Sequence, residues 1–217
     1  MSSGHVVFAV LLGIGGYLLG AVPFGVVVGR WARGVDIRNY GSGNIGTTNA
    51  YRVLGAKAGT LVLVCDLAKG AVPAFLAGHF FAPWLAVILA ALPVIGHLRS
   101  IFLRGSGGKG VAAGGGVVLG LMWPVLLIEL GVFLAVLLTA RMVSAASLAA
   151  AVAFPIAVWL TGQPLPYLVV AFVLSPLVII AHHANIRRIL AGTERRITFT
   201  RKGQGGPAPH GGQPGAA

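Results

Sequence analysis

The sequence predicts an all-α polytopic membrane protein with seven transmembrane helices, on three observations. Of its 217 residues 57% are hydrophobic and 9% charged, whereas a soluble domain carries about 25% charged residues. Long apolar stretches recur along the chain, separated by short polar segments. The sixteen Lys and Arg gather in alternate segments, as in a chain that crosses a bilayer with its basic loops inside.

Stretches long enough to cross run approximately 6–29, 56–77, 82–98, 124–140, 143–161 and 166–183, with a weaker piece at 110–122. Counting the weak piece as a short fourth span gives seven crossings, with the N-terminus outside and the C-terminus cytoplasmic. The inside segments are then 30–55, 99–109, 141–142 and 184–217. They hold Arg30, Arg33, Arg38 and Arg52; Arg99, Arg104 and Lys109; Arg141; and the cluster from Arg187 to Lys202. Lys57 stands at the inner mouth of the second span and Lys69 within it, while the outside turns 78–81, 122–124 and 162–165 have no basic residue. Six crossings would put Arg141 and the C-terminal cluster on the opposite side from Arg30 to Arg52. The short span is rich in glycine (114, 115, 116, 120), which allows close helix contact.

Residues 1–202 read as one integral membrane domain, and the Gly- and Pro-rich 203–217, with an idle His210, as a flexible tail. Met1 to Tyr17 carries no Lys or Arg, so no signal peptide is expected. A formal charge of +12 suggests nucleic acid, but the apolar content argues against that partner. The single cysteine, Cys65, allows no disulfide framework or cysteine metal site and reads as packing. Four acids in all, Asp36, Asp66, Glu129 and Glu194, leave little for carboxylate-driven hydrolysis or a carboxylate metal site. A mechanism without metal or cofactor is expected, and the sequence assigns Glu129 no task.

Three unusual polar segments stand at inner ends of apolar spans: GSGNIGTTNAYR (41–52), GHLRSIFLRGSGGKG (96–110) and HHANIRR (182–188). In the first, the glycines beside Ser42, including Gly43, let amides and a hydroxyl converge on an anion. Asn44, Thr47, Thr48 and Asn49 add neutral donors, and Arg52 adds a planar fork suited to phosphate. In the second, Gly107, Gly108 and Gly110 flank Lys109 just before an apolar helix, where its charge can anchor phosphate beside a helix N-terminus. A nucleotide P-loop would need a hydroxyl after the lysine and a preceding strand; Gly110 follows and no strand precedes. Either glycine loop alone reads equally as a plain turn or as an anion site. Two of them, each with a basic residue and on the same side, read as a phosphate site.

His97 and His182 lie near inner helix ends, where a neutral imidazole can hydrogen-bond a hydroxyl or act as a base. His182 and Asn185, three apart, share a helix face, and His183 points away. Asp66 and Lys69 in the second span, also three apart, read either as a structural ion pair or as part of a pocket.

Together GSGNIGTTNAYRVLGAKAG, DLAKG, GHLRSIFLRGSGGKGVA and HHANIRRILAGTERR resemble the bacterial acyl-phosphate:glycerol-3-phosphate acyltransferase family, in order and over about residues 5–200. The resemblance implies a seven-span enzyme of the bacterial inner membrane with a cytoplasmic active site. Its reaction moves a fatty acyl group from acyl phosphate to the sn-1 hydroxyl of glycerol 3-phosphate, giving lysophosphatidate and phosphate. Ser42, Arg52 and Lys109 then correspond to phosphate-binding and positioning groups, and His97, His182 and Asn185 to residues that shape the glycerol and acyl-phosphate site. Asn44, Thr48, Asn49, Asp66 and Lys69 also match. Ala21, Ser100, Gly105, Ser106 and Ala113 depart from the family pattern, around an intact GGKG.

The partners implied are these two substrates and membrane lipid, with no nucleic acid and no obligate protein partner. Two other classes compete. Buried Asp66 and Lys69 would suit a transporter of a phosphorylated solute, but no inverted repeat is visible. A structural subunit would use the glycines for helix packing and the basic tail for anionic lipid.

Overall fold

The computed structural model describes residues 2–197. Residues 203–217, expected to be a flexible tail, lie outside the described residues, as do Arg201, Lys202 and His210.

Nine α-helices follow in order among the described residues. Helix α1 (Ser3–Ala21) stops at Pro23, and the short amphipathic α2 (Phe24–Arg33) continues at the other side of the break. Proline lacks the amide that would carry the ladder through, so the predicted span 6–29 is two helices. A loop then leads to α3 (Thr47–Leu54), which Gly55 separates from the long apolar α4 (Ala56–Phe80). Helices α5 (Pro83–Leu98), α6 (Val111–Ala140), α7 (Val143–Leu160) and α8 (Leu165–Ala181) complete the bundle, and α9 (His183–Leu190) leaves α8 at 61°.

Among the described residues five helices are long and apolar enough to cross a membrane, or six if α8 and α9 form one bent span, and not the seven expected. The expected fourth and fifth crossings, 110–122 and 124–140, belong to the single element α6, whose backbone leaves helical geometry at Met122 (φ −150°, ψ 59°), just before Pro124. A straight helix of 30 residues would extend about 45 Å. Yet both ends of α6 join one hydrogen-bonded chain, from Lys109 through Asn185 and Glu194 to Ser144. The element therefore turns back at the Met122 kink. Its first arm, Val111 to Leu121, reaches only about 17 Å, too short for the ~30 Å hydrocarbon core. The charge argument for seven crossings loses its count with that arm.

Small residues set the packing. Helix α4 packs most extensively on α6, and α1 on α5. A Cβ on Gly70 would strike the Ala113 carbonyl, and one on Gly116 the Leu67 carbonyl, so α4 and α6 touch backbone to backbone in both directions. Between α4, α5, α6, α7 and α8 lies the main core, with Val94, Val117, Val125, Phe154, Val158 and Leu174 buried. Large apolar side chains such as Leu11, Phe75, Leu127 and Phe172 are more than half exposed on the outside. That outer face is what lipid covers.

Candidate active site

The first polar loop is held by its own side chains. Asp36 accepts from Arg38 at 2.6 and 2.9 Å and from Arg30 at 3.3 Å. The hydrogen bonds from Arg38 hold its pKa at about 2, against the opposing effect of burial. Asn49, on the first turn of α3 and 1% exposed, ties the loop from within. Its Nδ2 lies within 3.2 Å of the carbonyls of Ile37, Tyr40 and Asn44, and its Oδ1 accepts from the Ser42 amide at 2.9 Å. Asn44 Oδ1 accepts from the Gly46 amide at 2.8 Å, an Asx turn leading into α3. Gly41 and Gly43 take φ of 63° and 71°, which glycine adopts without strain.

This changes what the loop can offer an anion. The Ser42 amide is committed to Asn49, and the Gly43 amide donates to the Tyr40 carbonyl at 3.0 Å. The expected convergence of successive amides does not form; the Ser42 hydroxyl, at the exposed tip, remains. Thr48 and Arg52 follow one turn apart on α3, both with exposed faces, while the Thr47 hydroxyl is buried and has no partner among the described residues.

The second loop lies against the end of α5. The Gly108 amide donates to the His97 carbonyl at 2.9 Å, a Cβ on Gly107 would meet the His97 and Leu98 carbonyls, and one on Gly108 would overlap His97 Nε2. The glycines are there because backbone and imidazole leave no room for a side chain. His97 itself is 3% exposed and stands behind the loop. Among the described residues its Nδ1 has no hydrogen-bond partner, and it lies 3.9 Å from Asp66 Oδ1. Asp66 and Lys69 pair at 2.7 Å, and Lys69 also donates to the Val22 carbonyl at 3.1 Å, at the α1–α2 break. This buried pair reaches the glycine loop through His97. Gly110 takes φ 82° and opens α6, whose first amides have no partner within the helix.

The third segment closes the site. His182 and Asn185 are both buried. His182 Nδ1 donates to the Val178 carbonyl at 2.8 Å, which leaves Nε2 as the acceptor. His183 is exposed and turned to the Ile180 carbonyl. Lys109 Nζ donates to Asn185 Oδ1 at 2.5 Å, and Asn185 Nδ2 donates to Glu194 Oε1 at 2.6 Å. Glu194 also accepts from Ser144 at 2.7 Å and from Arg188 at 2.6 Å.

These contacts set the charges. Burial would raise the Glu194 pKa, but the hydrogen bonds from Ser144, Asn185 and Arg188 outweigh it and keep the carboxyl below its usual range. Burial lowers the Lys109 pKa; Glu194 opposes that, and Arg188 and Arg52 add to it. Partial loss of solvent also lowers Arg52, with Arg195 adding like charge and Glu194 opposing. Arg188 pairs with Glu194 at 2.6 Å, and Lys109 and Arg52 feel the charge of the same carboxylate, an excess of positive charge suited to a phosphate dianion. Sequence reasoning missed Glu194, Ser144 and Arg188. The only signal was an acid just beyond a helix-ending glycine, Gly192 (φ 69°), which turns the chain back toward Asn185.

The profile of the glycerol-3-phosphate acyltransferase family matches residues 10–192. The chain belongs to this family. A glycerol-3-phosphate acyltransferase of Synechococcus sp. strain JA-2-3B'a(2-13) is 49% identical over 87% of this chain and 94% of its own. One from Rubrobacter xylanophilus is 44% identical over 91% and 98%. The crystal structure of PlsY (YgiH), an integral membrane glycerol 3-phosphate acyltransferase, in its glycerol 3-phosphate form is similar, with a TM-score of 0.85, 40% identity and coverage of 88% and 96%. Its lysophosphatidic acid form matches with a TM-score of 0.83 and 38% identity. As a glycerol-3-phosphate acyltransferase family member, the chain is a multi-pass protein of the inner membrane.

Proposed function

We infer that the protein transfers a fatty acyl group from acyl phosphate to the sn-1 hydroxyl of glycerol 3-phosphate at the junction of these three segments. The observation that carries this site is the chain Lys109–Asn185–Glu194, which brings a phosphate-anchoring lysine, Arg52 and the open Nε2 of His182 to one end of the bundle. Family membership supplies the reaction class.

Lys109, Arg52 and the Ser42 hydroxyl hold phosphate, while His182 Nε2 accepts a hydrogen bond from the attacking hydroxyl and keeps it oriented. Acyl phosphate is a mixed anhydride, so no covalent enzyme intermediate is needed. A carbon–oxygen bond forms to the glycerol oxygen, the bond from the carbonyl carbon to the phosphate oxygen breaks, and the hydroxyl proton ends on the released phosphate. Asn49, His97, Asp66 and Lys69 act behind the site: Asn49 shapes the Ser42 loop, and the other three back the glycine loop. Arg30, Arg33, Arg38, Arg99, Arg104, Arg187 and Arg188 lie in the polar segments that form this end of the bundle, and by the positive-inside rule that charge supports a cytoplasmic face for the site.

The test offers purified protein labelled glycerol 3-phosphate with palmitoyl phosphate or palmitoyl-CoA and follows extractable lysophosphatidate. Product from the acyl phosphate alone is expected. Product from palmitoyl-CoA alone would overturn the donor, and none from either in folded protein would overturn the reaction.

A further inference from the structure

Beside the α1–α2 break is a groove of about 680 Å³ to which the proposed reaction assigns no lining residue, a size common for ligand cavities. One wall is the apolar edge of the break and of α2, with Val22, Val26 and Val27; the other is the turn after α5, with Phe102 and Leu103. Three guanidinium groups, Arg30, Arg38 and Arg104, complete it. Asp36 pairs with Arg30 and Arg38, so three cations against one carboxylate leave two positive charges. The Arg104 side chain donates no hydrogen bond among the described residues, and its backbone is held in the left-handed region (φ 54°).

An apolar trough capped by three guanidinium groups with a net excess of two positive charges is complementary to a molecule with an acyl chain and a phosphate headgroup. Its place favours the bilayer as the source. Val27 and Phe102 are 49% and 56% exposed, on the outer side of the bundle, and Trp31 on the same helix is 80% exposed, where an aromatic ring sits at the headgroup level. None of Ser42, Arg52, Lys109, His182 and Asn185 lines the groove. We propose that this groove binds one anionic bilayer phospholipid, its phosphate against Arg30, Arg38 and Arg104 and the start of a chain along Val22, Val26 and Phe102.

Occupancy would brace both catalytic loops. Arg38 precedes Ser42 by one short turn, and the Arg104 turn is tied to the glycine loop by the Ser100 amide bonding the Ser106 carbonyl at 3.1 Å.

The experiment places the full chain in phosphatidylcholine nanodiscs with a minor fraction of phosphatidylglycerol, strips loosely held lipid and weighs what remains bound. Phosphatidylglycerol enriched roughly tenfold over its bulk ratio is expected, returning to that ratio in Arg30→Ala/Arg104→Ala and unchanged in Arg187→Ala, an exposed arginine that does not line the groove. Val27→Asp, which leaves every guanidinium in place but puts an anion in the trough, should also expel the lipid. No enrichment in the unaltered protein, equal loss in Arg187→Ala, or retention in Val27→Asp overturns the site. Displacement by added palmitoyl phosphate, one for one, overturns the assigned occupant and gives the groove to the acyl donor.

Discussion

Asn49 and Gly108 show how single residues can matter to a reaction they do not touch. Asn49 joins three carbonyls and the Ser42 amide in one buried group. Asn49→Ala leaves those partners unpaired, at about 1–3 kcal/mol, so both the melting temperature and the affinity for glycerol 3-phosphate should fall together. A variant with an unchanged Tm would deny Asn49 its scaffold role. Gly108→Ala drives a methyl into His97 Nε2, and overpacking of this kind costs about 1–3 kcal/mol. Removing the ring gives the methyl room. In a double-mutant cycle, Gly108→Ala should therefore cost less activity in a His97→Ala background than in the unaltered protein; additive losses would show that the two do not press on each other.

Among the elements, hydropathy made the long helices α4, α5 and α7 legible, because an apolar run has one plausible use in a bilayer. It could not resolve the breaks. A window averages across Pro23 and Met122 alike, and whether a chain bends or stops there depends on which neighbours accept its freed backbone groups. The loops were half legible: glycines beside Ser42 and Lys109 announce close approach, but the sequence does not say to what. For Gly108 the answer is an imidazole rather than a ligand. Glu194 stayed hidden because its partners are fifty residues away at Ser144 and nine away at Asn185. Its carboxyl is held below the usual 4.5, as Asp36 is held at about 2 from 3.8. A depressed pKa contributes stability that is fully present above the unfolded value and is lost as pH falls through the folded one. The Tm should therefore be flat down to about 4.5 and fall below it. Glu194→Gln should start lower at neutral pH and fall less steeply; parallel curves would mean that Glu194 does not link the loops to pH.

For the whole molecule, lipid exposure and charge divide the protein into an apolar bundle and one basic end. Cysteine labelling in a Cys65→Ser background tests that division. Arg104→Cys should react with an impermeant reagent from the cytoplasmic side and Gln163→Cys, in the turn between α7 and α8, from the other. Labelling of both from one side would contradict the orientation proposed for the site. The central claim is that phosphate is held where Lys109 meets Asn185, and the most direct measurement is acyl transfer from palmitoyl phosphate by purified Lys109→Ala. The rate should fall about 100-fold, while yield and Tm stay near those of the unaltered protein. Full activity in that variant would contradict the claim.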